Sequence, residues 1–136
     1  MNMVCDSPKG YQPDPEILRL AQEDAAQTGC SITVEEDLFK AAKGADVLYT
    51  DVWTSMGEEA EREIRFKALH NYQINQELLN EARPDAIVLH CLPAHRGEEI
   101  TEEVLEGPQS FVFDQAENRL HVQKAIMALL MSDEVL

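Results

Sequence analysis

The sequence predicts an α/β fold, Rossmann-like and doubly wound around a mostly parallel sheet. Two observations carry that expectation. Short β-rich runs at 3–5, 31–34, 47–50 and 86–90 alternate with stretches that carry helix signals, and strands separated by helical crossovers lie parallel. No internal repeat, low-complexity tract or interdomain linker interrupts the pattern, so its 136 residues read as one domain with one core.

The elements follow in order. Met3-Val4-Cys5 is a short first strand that ends in the turn Ser7-Pro8-Lys9-Gly10. Pro13-Asp14-Pro15 launches a helix, with Asp14 as N-cap, Pro15 in the first helical position and Gly29 as its stop. Ile17, Leu18, Ala21 and Ala25 form the stripe expected to be buried. Ser31-Ile32-Thr33-Val34 is the second strand, and 35–43 reads as a short helix halted at Gly44. Val47-Leu48-Tyr49-Thr50 is the third, with 51–57 its outgoing loop. A helix is expected over 58–69, its solvated face laced by Glu58/Arg62, Glu61/Arg65 and Glu63/Lys67 at i,i+4 spacing. Asn75 caps a helix to Ala82, Asp85 leads into strand 86–90, and a short helix near Thr101 precedes the apolar run Phe111-Val112-Phe113. A final apolar helix is expected from about Glu117 to Met131.

Two features look unfinished. A domain of this kind usually opens with a strand, a Gly-containing turn and a helix, and here nothing precedes the short first strand. The closing helix presents Leu120, Val122, Ile126, Leu129, Leu130 and Met131, a wider apolar arc than one sheet face covers, which calls for a second partner. The expected domain is therefore incomplete at its N-terminal edge.

Charge and composition exclude several functions. With 26 acidic against 11 basic residues the net charge is −15, and 44% of residues are hydrophobic. Nucleic acid and anionic membranes both require a basic face, so neither is an expected partner. No apolar stretch approaches the roughly 18 residues of a membrane span, and no signal-peptide pattern opens the chain. Cys5, Cys30 and Cys91 are odd in number and far apart, which argues against a disulfide framework and for a reducing, cytoplasmic setting.

Ligands in open α/β sheets bind beyond the carboxyl ends of the strands, and three polar loops lie there. Asp51-Val52-Trp53-Thr54-Ser55-Met56-Gly57 runs into a helix start, whose free N–H groups suit a carboxylate or phosphate. Ser55 and Met56 N–H groups with the Asp51 carboxylate would clamp a zwitterion; the alternative is that Asp51 and Ser55 only satisfy turn and cap hydrogen bonds. His90-Cys91-Leu92-Pro93-Ala94-His95-Arg96-Gly97 offers a thiol, two imidazoles and a guanidinium. Cys91 reads as a polar contact for substrate, a nucleophile or a small buried hydrophobe. As a zinc ligand it lacks an established spacing and a second cluster. His90, adjacent in a strand, would point to the opposite face, and Leu92-Pro93 is a candidate cis bond. In Asp114-Gln115-Ala116-Glu117-Asn118-Arg119, Arg119 could hold a phosphate bidentately or pair with Glu117 or Asp114 at the surface.

Together these segments resemble the ornithine carbamoyltransferase family. Asp51 to Gly57 is similar to its D-x-W-x-S-M-G loop, His90-Cys91-Leu92-Pro93 to its H-C-L-P motif, and Phe113 to Arg119 to its F-D-E/Q-A-E-N-R segment. Pro8-Lys9-Gly10-Tyr11 and Pro13-Asp14-Pro15 resemble its P-K-G-Y-x-P-D stretch, so the likeness runs the length of the chain. H-C-L-P is shared with relatives that use modified ornithines, and the S-M-G loop favours ornithine itself. The resemblance implies that Asp51, Ser55 and Met56 bind the α-amino and α-carboxylate ends of ornithine. Cys91 would lie beside the δ-amine, and Cys91, Leu92 and Arg119 would contact carbamoyl phosphate. The δ-amine would attack the carbamoyl carbon and phosphate would leave, giving citrulline without metal, cofactor or covalent enzyme intermediate. Cys91 and Arg119 would be the catalytic pair, with His90, His95 and Arg96 behind them. The H-R-G-E-E stretch resembles the type used in arginine biosynthesis.

Parts of the family pattern are absent. The chain has no S-T-R-T-R phosphate cradle and no opening strand–turn–helix with its substrate-binding Asn. Residues 1–136 are thus expected to be the later part of an ornithine-binding domain. Partners implied are the missing N-terminal domain or a full-length homologue, in a family that is homotrimeric, and the chain alone is expected to be inactive. The competing expectations are a non-catalytic module that binds an amino acid or docks onto a homologue, and a truncation with no role of its own.

Overall fold

The computed structural model describes residues 1–54, 57 and 59–131. Its elements are β1 (Met3–Asp6), α1 (Pro15–Gln27), β2 (Ile32–Glu35), α2 (Leu38–Ala42), β3 (Val47–Thr50), a 3₁₀ turn (Glu59–Glu61), α3 (Arg62–Leu69), α4 (Gln76–Leu79), β4 (Ile87–His90), α5 (Glu102–Leu105) and α6 (Val112–Met131). The expected α/β alternation with parallel strands is present. β1 pairs with β2 from Met3 opposite Ile32 to Asp6 opposite Glu35, and β3 pairs with β4 from Val47 opposite Ile87 to Thr50 opposite His90, both parallel. Among the described residues the strands form two separate two-stranded sheets rather than one continuous sheet.

Local chemistry explains the helix starts. Asp14 Oδ1 accepts from the N–H groups of Glu16 and Ile17 ahead of α1, and Pro15 occupies the first turn, where its missing N–H costs nothing. Asp37, Asn75 and Thr101 cap α2, α4 and α5 through the N–H groups of Lys40, Leu78 and Val104. Gly29 and Gly44, with φ of +70° and +69°, let the chain turn left-handed behind α1 and α2.

The core lies around the β3–β4 pair. Leu48, Ile74, Leu78, Val88, Ile100, Leu105 and Val112 are buried in one cluster. Val88 is the centre of the weave. Its N–H donates to Gln109 O at 2.8 Å and its carbonyl accepts from Phe111 N–H at 2.9 Å, which draws the segment before α6 alongside β4.

Several expectations are corrected. Ile17 is 63% exposed instead of buried, because α1 rests on β2 through Ala25, with Leu18 and Ala21 only half-covered. Over 58–69 the described chain winds first as a 3₁₀ turn and becomes α-helical only at Arg62. Of its expected ion pairs, Glu61–Arg65 forms at 3.1 Å, whereas Arg62 pairs with Glu98 across the loop, and the Glu58 partner lies outside the described residues. α4 stops at Leu79, and Glu81 and Ala82 follow with i→i+3 bonds. Phe111-Val112-Phe113 is not a strand. A single parallel bridge joins Ser110 to Val88, and then Gln115 N–H bonds back to Phe111 O at 2.9 Å, so the last helix begins at Val112. The expected loop from Asp114 to Arg119 is therefore its first two turns. Only Val112 of α6 is buried, and Leu120, Val122, Ile126, Leu129, Leu130 and Met131 are 48–82% exposed. The wide apolar arc lacks a cover among the described residues.

Candidate functional site at the strand ends

The pairing of Thr50 with His90 sets the site. Parallel strands in this register release their next residues, Asp51 and Cys91, side by side at the carboxyl edge. The Cys91 thiol donates to Asp51 Oδ1 at 2.9 Å, and the same oxygen accepts the Val52 N–H at 2.7 Å. Asp51 thus secures its own turn, and the same carboxylate faces the thiol. Burial, reinforced by the adjacent Asp51 carboxylate, pushes the Cys91 thiol above its ordinary pKa, so the thiol form is favoured over thiolate. That electrostatic setting is wrong for a cysteine nucleophile and right for a neutral hydrogen-bonding contact.

Leu92 follows at φ +55°, and its bond to Pro93 is cis, as the sequence suggested. The side chain of His90 turns to the opposite face, as expected from strand alternation. It is fully buried, with Nε2 3.1 Å from Glu99 Oε1 and Nδ1 receiving the Leu92 N–H at 2.8 Å. The donor set Asp51, His90 and Cys91 is compact enough to invite a metal ion. Both ring nitrogens of His90 are already engaged, so the imidazole offers that position no lone pair. His95 Nδ1 stands 4.0 Å from Glu99 Oε2, and Arg96 binds Glu106 at 2.5 Å, tying the loop to α5 and away from the thiol.

Arg119 is exposed on α6 and makes no ion pair among the described residues; the surface partner Glu117 lies 3.4 Å from His121 instead. Arg119 lines an open groove with Gln115, Asn118, Val122, Gln123 and Ile126. Gln115, one turn earlier, links the groove to the strand end, because its Oε1 accepts the His90 N–H at 3.1 Å. Ser55 and Met56 lie outside the described residues. Asp51, Cys91 and Leu92 thus form one cluster, and Arg119 stands one helical turn beyond the residue that ties α6 to it.

Sequence reasoning missed Tyr49, Gln115 and Glu99. Tyr49, half-exposed on β3, interacts with Gln115 and Cys91, and partial burial raises its hydroxyl pKa. Its place on β3, two residues before Asp51, was the available signal. Glu99 carried none, since nothing in Gly97-Glu98-Glu99-Ile100 says which glutamate turns inward.

An α/β domain with parallel strands, whose polar groups gather beyond the strand ends, has the arrangement in which such folds bind ligands. The sequence profile described as "Aspartate/ornithine carbamoyltransferase, Asp/Orn binding domain" matches residues 1–130. The chain belongs to the aspartate/ornithine carbamoyltransferase family, in the part that profile covers. It is 55% identical to the ornithine carbamoyltransferase of Thermococcus kodakarensis over 130 residues, covering 96% of this chain and 41% of the relative. Its structure is similar to the ornithine carbamoyltransferase from Pyrococcus furiosus, with a TM-score of 0.87 at 52% identity, covering 94% of this chain and 41% of that one. The anabolic enzyme from Campylobacter jejuni gives a TM-score of 0.89 at 40% identity, over 98% of this chain and 44% of the other. The chain thus spans about two fifths of the length of the relatives it matches.

Proposed function

We propose that this chain supplies the ornithine half of a carbamoyl-transfer site. The observation that carries the reading is the Cys91–Asp51 contact of 2.9 Å at the ends of paired parallel strands. A neutral thiol held by a carboxylate is suited to receive and orient an amine without reacting with it. In the proposed reaction the δ-nitrogen of ornithine forms a bond to the carbamoyl carbon as the carbon–oxygen bond to phosphate breaks. The nitrogen loses a proton, and citrulline and inorganic phosphate result. Catalysis then rests on orientation and on stabilising developing charge. Asp51 with Ser55 and Met56 would hold the amino-acid end, Cys91 the δ-amine, and Leu92 and Arg119 the carbamoyl phosphate.

Arg119 alone leaves most of a phosphate's charge unmet, so the site requires further cationic groups from a carbamoyl-phosphate-binding domain. We also place residues 1–136 within an ornithine-binding domain. Assembly as a homotrimer and a cytoplasmic setting for arginine synthesis belong to the same proposal; no helix among the described residues is long and apolar enough to cross a membrane.

Isothermal titration of the purified chain with L-ornithine tests the reading, with Asp51→Asn as control. Saturable binding weakened by the substitution is expected; identical heats from both proteins sink the assignment. Adding a separately produced carbamoyl-phosphate domain and measuring citrulline then separates a half-site from a module that binds without turnover.

A further inference from the structure

His90 and Glu99 are the two polar residues buried completely in the described chain, and the reaction proposed above uses neither. Their hydrogen bonds define a direction. A backbone N–H only donates, so the Leu92 N–H at 2.8 Å requires His90 Nδ1 to be the bare nitrogen. The ring proton therefore sits on Nε2 and is donated to Glu99 Oε1 at 3.1 Å. That oxygen also receives the His95 N–H at 2.6 Å, which anchors the carboxylate to the far side of the same loop. The backbone of His90 is fixed independently through its N–H to Gln115. The chain of contacts runs from Glu99 through one imidazole to the amide of Leu92, which stands in the left-handed region at φ +55°. It ends on the backbone, not on the Cys91 thiol, which bonds to Asp51.

We propose that His90 and Glu99 are a positioning pair: Glu99 fixes the tautomer of His90, and the bare Nδ1 holds the Leu92 amide so that the Cys91–Leu92 peptide faces the substrate. The pair moves no proton to or from the reacting atoms. Its role rests on the functional reading only in what the peptide is held for. The tautomer and the amide contact stand apart from it. A buried imidazole in a fixed tautomer is a rigid strut, whereas an exposed loop would have to be ordered on each binding event.

Two substitutions separate the halves of the strut. Asparagine places an oxygen where Nδ1 lies and gives up Glu99; glutamine reaches toward Glu99 and gives up the Leu92 amide. In the unaltered chain at pH 7.5, ¹⁵N NMR is expected to show the Nε2–H tautomer at His90, with the Leu92 amide protected from exchange. His90→Asn should keep that protection and bind L-ornithine within about threefold of the unaltered chain. His90→Gln should lose the protection and about tenfold in affinity, as for one lost buried hydrogen bond. Glu99→Gln, which keeps an acceptor for Nε2–H, should leave the tautomer in place. A proton on Nδ1 in the unaltered chain, or equal Leu92 exchange in the Asn and Gln variants, overturns the proposal. If both variants fail to fold, the tautomer of the unaltered chain decides. If L-ornithine does not bind the unaltered chain, the functional reading falls, and tautomer and amide exchange still decide the pair.

Discussion

Asp51 and Cys91 lie side by side because Thr50 and His90, one residue earlier on each strand, are register partners in the β3–β4 pair. The contact therefore follows from the register of the sheet, one residue beyond its last pair. Its electrostatic sign is testable. Asp51→Asn removes the charge that, after burial, most disfavours the Cys91 thiolate. The thiol pKa should fall, and alkylation of Cys91 by iodoacetamide at pH 8 should accelerate severalfold. Peptide mapping by mass spectrometry distinguishes Cys91 from Cys5 and Cys30; an unchanged rate at Cys91 would show that Asp51 does not govern the thiol.

Asp6 predicts a pH dependence of stability. It pairs in register with Glu35, both its carboxylate oxygens lack a hydrogen-bond partner among the described residues, and burial with the charges of Glu35 and Asp37 raises its pKa from 3.8 to about 6. A carboxyl group whose folded pKa is raised binds its proton more tightly in the folded state. Its stabilising contribution is present below pH 3.8 and is lost as pH rises through about 6. Asp6→Asn should match the unaltered chain in melting temperature near pH 4 and exceed it near pH 7. A gap that does not widen with pH would reject the assignment.

Leu78 is 1% exposed and packs in the central cluster. Leu78→Ala should cost about 2–5 kcal/mol, the range for a buried leucine whose cavity does not collapse. Urea unfolding followed by circular dichroism measures it. A loss below about 1 kcal/mol, the scale of an ordinary surface change, would place Leu78 outside the cooperative core.

Arg119 should behave in the opposite way. Exposed and without an ion pair among the described residues, it contributes little to folding, so Arg119→Ala should change stability by no more than about 0.5 kcal/mol. In a complemented enzyme the same substitution should abolish most citrulline formation. A large loss of stability would mean that the guanidinium holds the helix, not a ligand.

How much of this was legible in the sequence depended on the range of the interaction. Caps announced themselves, since Asp14 and Asn75 each act on an amide two or three residues away. The β3 and β4 strands and the positions of Asp51, Cys91 and Leu92 at their ends followed from apolar runs meeting polar turns. The start of α6 did not, because Phe111-Val112-Phe113 has the composition of a strand, and one bridge between Ser110 and Val88 satisfies what a strand would have sought. The inward turn of Glu99 was hidden for a different reason. Its partner His90 lies nine residues away across a turn, and Glu98 beside it goes to Arg62 instead. Two adjacent glutamates with opposite fates are separated only by the tertiary structure around them.

The uncovered face of α6 has a colloidal consequence. Leu130 and Met131 stand 81% and 82% exposed on a chain whose net charge is −15. What keeps such molecules apart in dilute buffer is mutual repulsion, and that repulsion reaches only about 10 Å at 0.1 M salt and about 3 Å at 1 M. Concentrated salt therefore removes the barrier while strengthening the attraction between the oily faces. Raising the ionic strength of the buffer should therefore promote association through these faces.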